Sequence, residues 1–88
     1  MEITQHALAR MQQRGIRPTD VECLLRFGRR EHDHRGGRIL YVDKHARRRI
    51  SAFLGDRSAE RLNDVYAVMA NDGVVVTVGH RTQRIKHP

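Results

Sequence analysis

Apolar positions in the first part of the chain recur at helical spacing. At about 100° per residue, Ala7, Leu8 and Met11 fall on one arc, with Thr4 placed to cap the start and Gly15 to stop the helix after Arg14. Ile16 and Arg17-Pro18 break the pattern, since a residue before proline avoids the helical region. Thr19 or Asp20 then caps a second helix, in which Val21, Leu24, Leu25 and Phe27 supply apolar surface until Gly28. The pattern predicts a helical hairpin over residues 4–28.

From residue 29 onward the period shortens. Arg38-Ile39-Leu40-Tyr41-Val42 reads as a strand, and Gly36-Gly37 before it as a hairpin turn, which implies a polar edge strand around residues 30–34. Val65–Ala70 and Val74–Val78 are rich in β-branched residues and flank Asn71-Asp72-Gly73, a turn whose residues tolerate positive φ. Between these hairpins, Ala46, Ile50, Phe53 and Leu54 are spaced for one helical face, followed by a loop at residues 55–58. The chain therefore predicts one α+β domain, two N-terminal helices packed on an antiparallel sheet of about four strands. It divides into the hairpin 4–28, a β-rich part 29–81 and a basic tail 82–88.

Charge changes the picture more than composition does. In 88 residues, Lys and Arg outnumber Asp and Glu by 17 to 10, a net +7, and 15 of the cations are Arg. Guanidinium forks grip phosphate at two points where an ammonium acts as a point charge, so a polyanionic partner is expected. With Phe27, Phe53, Tyr41 and Tyr66 as its whole aromatic set, the chain is not built as a reader of single strands through stacked rings. The lone Cys23 excludes a disulfide framework and a Cys-rich zinc site, and fits a small core residue. No stretch resembles a signal peptide, and no apolar run nears the roughly 20 residues of a membrane span, so the expected location is the cytoplasm.

Two constellations can carry chemistry. His6, Arg10 and Arg14 recur every four residues and form one stripe, ~12 Å long, beside the apolar arc of the first helix. Such a stripe suits cations that hold a phosphate and an imidazole that moves a proton. It also suits an ordinary solvated face. The second is the last strand, where Thr77, His80 and Arg81 offer a hydroxyl, an imidazole and a guanidinium. Alternation puts Thr77 and Arg81 on one face and His80 on the other, unless Gly79 is a bulge that swings His80 round. Arg47-Arg48-Arg49, with Arg38 and Arg84, would add affinity for nucleic acid without sequence preference. His32, His34 and His45 share no zinc-motif spacing, so no metal and no cofactor is expected.

The run His6-Ala7-Leu8-Ala9-Arg10-Met11-Gln12-Gln13-Arg14-Gly15-Ile16 resembles the opening of a small bacterial family of domains of unknown function, His-Ala-x-x-Arg-Met-x-x-Arg-Gly-Ile. Gly37-Arg38-Ile39-Leu40-Tyr41 and Val74–Val78 are similar to its later strands, whereas residues 44–62 have no counterpart. That family resembles the RelE/ParE-like and barnase/EndoU-like ribonuclease toxins. The resemblance implies a metal-independent endoribonuclease that cleaves RNA by attack of its own 2′-hydroxyl, with an acidic antitoxin or immunity protein as partner. It implies that His6, Arg10 and Arg14 line a cleft from the helix side and that Thr77, His80 and Arg81 face them. ParE-like relatives act on gyrase and not on RNA, so fold and cleavage are separable.

Two non-enzymatic readings compete. Met11, Gly15 and Val21 have the core spacing of a helix-turn-helix, although Asp20 and Glu22 would make a poor phosphate-facing helix. A basic module that binds RNA or an acidic protein without cutting is the other.

Overall fold

Thr4 begins the first helix, and the same residue fastens it to the far end of the chain. In α1 (Gln5–Arg14) the Thr4 hydroxyl accepts from the Ala7 N–H at 3.1 Å, and Gly15 closes the helix at φ 66° with its N–H on the Met11 carbonyl. The Thr4 hydroxyl also donates to the Val76 carbonyl, while the Thr4 N–H bonds the Val75 carbonyl and the Val75 N–H bonds the Glu2 carbonyl, each at 3.0 Å. This computed structural model describes residues 1–33 and 35–81. The predicted basic tail, residues 82–88, lies outside them.

α2 (Pro18–Phe27) starts before the predicted cap at Thr19 or Asp20. Proline suits the first helical position because its missing N–H needs no partner there and its φ is already helical. Asp20 instead reaches back one turn, its carboxylate accepting the Arg17 N–H at 2.8 Å. At the exit, Gly28 is required by close approach, since a Cβ there would stand 2.5 Å from the Leu24 carbonyl oxygen.

β1 (Arg29–His32), β2 (Arg38–Tyr41), β3 (Val65–Met69) and β4 (Val75–His80) form one antiparallel sheet in the order β1-β2-β3-β4. Both hairpins form where the turn residues predicted them. Gly36 and Gly73 take φ 85° and 89°, and the Asp33 carboxylate accepts the N–H groups of Arg35 and Gly37. Between β2 and β3, where a helix and a loop were expected, the chain makes two helices, α3 (Lys44–Leu54) and α4 (Asp56–Leu62). Asp43 caps α3 by accepting the Ala46 N–H, and Gly55 at φ 95° turns the chain into α4. The predicted loop is helical because Ala59 and Leu62 both reach the core from one face of that short helix.

Leu40, Ala67 and Val78 stand side by side across the sheet and join Val42, Val65 and Val75 in the core. Ala7 and Met11 of α1, Val21 and Leu24 of α2, Ala46 and Ile50 of α3 and Leu62 of α4 share that cluster. The helices therefore cover one face of the sheet, an α+β arrangement in two layers. Ile39, Tyr41, Tyr66, Val68 and Thr77 occupy the other face. No helix among the described residues is long and apolar enough to cross a membrane.

Candidate functional site

α1 presents His6 and Arg14 to solvent and Arg10 half-buried, beside the buried Ala7 and Met11. None of the three side chains has a hydrogen bond or a carboxylate partner among the described residues. Several other arginines differ. Arg29 is paired with Glu31 and Asp43, Arg17 and Arg61 with Asp20, and Arg30 donates to the Leu25 carbonyl. Arg10 is the more notable because its Nε is buried without an acceptor. Leaving such an N–H without a partner costs about 1–3 kcal/mol. The α1 stripe can thus receive a phosphate without first breaking an internal ion pair.

The end of β4 keeps the alternation read from the sequence and not the bulge that would have swung His80 round. The irregularity in the β3–β4 pairing lies at Val76, with Thr77 opposite Val68 and Val75 opposite Met69, while Gly79 keeps regular register opposite Tyr66. Gly79 is small because the Tyr66 ring lies over it, 3.1 Å from where a Cβ would be. With no bulge at Gly79, His80 stays on the helix-covered side and Thr77 on the opposite one. The structure does not bring Thr77 and the α1 stripe onto one face of the sheet.

His80 is fully engaged. Its Nε2 is 3.0 Å from the Arg14 carbonyl oxygen and its Nδ1 3.1 Å from Asp64 Oδ1. The carbonyl contact, then the carboxylate, hold the imidazole above its ordinary pKa against a smaller opposing effect of burial. Arg81 is occupied as well. Its guanidinium donates to the carbonyls of Val42 at 2.7 Å and Asn63 at 3.1 Å and lies 5.2 Å above the Tyr41 ring. Both residues hold the sheet to its surroundings; His80 has both ring nitrogens engaged, whereas Arg81 uses only its Nη2 for these bonds.

The remaining cations are dispersed. Arg38 is half-buried on the helix-covered side at the start of β2, Arg47 donates to Asn63 Oδ1, Arg48 is exposed, and Arg49 stacks over the Phe27 ring at 5.3 Å. Arg84 and His34 lie outside the described residues. His32 and His45 are exposed, and no three potential metal ligands cluster among the described residues. Cys23 is buried, and burial, then the Asp20 charge, pushes its thiol pKa up.

Two residues that support the α1 face were not singled out from the sequence. Asp20, buried at 5% exposure, binds Arg61, whose guanidinium also donates to the Gly15 carbonyl at the end of α1. Asp64 holds His80. Counting back from the Asn71-Asp72-Gly73 turn places residue 65 opposite 79; the irregularity at Val76 moves it opposite 80, so the turn alone did not reveal the Asp64–His80 proximity.

A family model described as a domain of unknown function, DUF4258, matches residues 3–80. The chain belongs to this family. The DUF4258 match runs from the segment paired with β4 to His80, so it contains the α1 stripe and all four strands. No curated protein and no solved structure matches the chain.

Proposed function

We propose that this DUF4258 protein is a cytoplasmic, metal-independent endoribonuclease of the bacterial toxin type, with the α1 stripe as its site. The observation that supports this reading best is the row His6, Arg10 and Arg14, whose side chains have no carboxylate partner among the described residues. The likeness of the family with this opening motif to the RelE/ParE-like and barnase/EndoU-like ribonuclease toxins supports the same reading. Arg10 and Arg14 would hold the scissile phosphate and stabilise the charge that develops as phosphorus becomes pentacoordinate. His6 would take the proton of the 2′-hydroxyl as that oxygen bonds to phosphorus. The bond from phosphorus to the 5′-oxygen then breaks, leaving a 2′,3′-cyclic phosphate, and solvent water protonates the leaving oxygen.

That last step reflects a change from the sequence expectation. His80, whose imidazole was expected to face the cleft, already uses both ring nitrogens, and Thr77 lies across the sheet. The same fact favours a second reading, in which the face binds RNA and does not cut it. Incubating RNA with pure protein, with and without EDTA, separates the two. EDTA-resistant cleavage that disappears in His6→Ala supports the enzyme. Intact RNA that is nonetheless retained by folded wild-type protein supports the binding module.

A further inference from the structure

On the side of α2 that faces α3, Phe27 and Phe53 stack with ring centres 5.7 Å apart, yet Phe53 remains 69% exposed and the adjacent Leu54 53%. Together with Thr19, Glu22 and Arg26 they line a hollow of about 380 Å³, floored by Cys23. Phe27 also carries two guanidinium groups, those of Arg26 and Arg49, each 5.3 Å from its ring centre. Neither cation meets a carboxylate among the described residues. Two large apolar side chains left bare beside two unpaired arginines differ from the scattered exposed apolar residues usual on a surface.

We propose that this hollow, lined by Phe27, Phe53 and Leu54 and flanked by Arg26 and Arg49, docks an acidic amphipathic segment of another protein. Apolar side chains of that segment would fill the hollow, and its carboxylates would meet the two arginines in bidentate pairs. A second copy of this chain fits poorly, because face-to-face docking would oppose Arg26 and Arg49 with themselves in a molecule of net charge +7. RNA fits less well than protein. A phosphate backbone carries charge at every nucleotide and would run over the Glu22 carboxylate on the rim, and Leu54 offers no ring to stack on. This proposal does not rest on ribonuclease activity.

The test is an amide-resolved NMR titration of the full chain with a synthetic helical peptide bearing Leu and Phe at i and i+4 and Glu on the flanking positions. The expected result is shift changes confined to residues 19–27 and 49–54, with affinity reduced about tenfold in Phe53→Ser and in Arg26→Glu. A peptide with Lys in place of Glu should not bind. Both substituted side chains are exposed, and the amide spectrum of each variant reports its folding directly. Absence of shifts at these residues overturns the proposal, as does binding that survives both substitutions. It also fails if a single-stranded RNA oligonucleotide shifts the same residues, or if sedimentation shows a dimer that Phe53→Ser dissociates.

Discussion

The Nε2 of His80 lies 3.0 Å from the carbonyl oxygen of Arg14, joining the last strand to the last turn of the first helix across 66 positions of sequence. A carbonyl can only accept, so Nε2 must carry hydrogen, and the Asp64 carboxylate facing Nδ1 is best met by a second N–H. The pair of contacts therefore favours the imidazolium. A group whose pKa is raised on folding adds stability that is fully present below its unfolded value and lost as pH climbs through the folded one. Stability should accordingly decline as pH rises above 6.5. Urea midpoints across that range check this, and His80→Gln should flatten the dependence.

Asp20 gives the opposite sign. Burial pushes its carboxyl pKa up, but hydrogen bonds from the Arg61 side chain and the Arg17 backbone outweigh it and hold the pKa below 3.8. Its contribution is present above 3.8 and lost as pH falls through the lowered folded value. Asp20→Asn keeps the shape and removes the charge, and should lower stability by about 2 kcal/mol at neutral pH. A shift of the urea midpoint with unchanged slope is the expected signature.

Arg10 should separate binding from stability. Replacing it by Met removes a buried N–H that has no acceptor and keeps much of the packing volume. Folding stability should stay within about 1 kcal/mol of wild type or rise. RNA affinity should fall, and the slope of log K against log salt should lose about 1. Unchanged RNA binding and salt slope would remove Arg10 from the site.

Gly28 tests the junction of α2 and β1. A Cβ there meets two backbone oxygens, Leu24 at 2.5 Å and Tyr41 at 3.1 Å, and neither can swing aside as a side chain can. Gly28→Ala should cost about 2–3 kcal/mol, whereas Ala at a position of ordinary contact would be nearly neutral. Thermal denaturation of the variant measures it directly.

The elements that were legible in the sequence carried local signals. Thr4 and Gly15 bound α1, the Gly-containing turns bound both hairpins, and alternation alone placed Thr77 and His80 on opposite faces. α4 was not legible, because a seven-residue helix with Ala59 and Leu62 as its buried positions has too short a period to read. The site divided in the same way. The four-residue spacing of His6, Arg10 and Arg14 was visible, but the engagement of His80 and Arg81 was not. Their partners, the carbonyls of Arg14, Val42 and Asn63, are backbone atoms brought near by tertiary packing, and no side-chain pattern marks them.

The stitching of Glu2, Ile3 and Thr4 to Val75 and Val76 has a consequence for the order of assembly. α1 precedes the other elements in chain order yet packs on the last of the four strands. A nascent chain that stops before Val75 has no strand for Thr4 to bond and no Val78 for the core beneath α1. The row of His6, Arg10 and Arg14 is therefore held in place late in folding, once the long loop between α1 and β4 has closed.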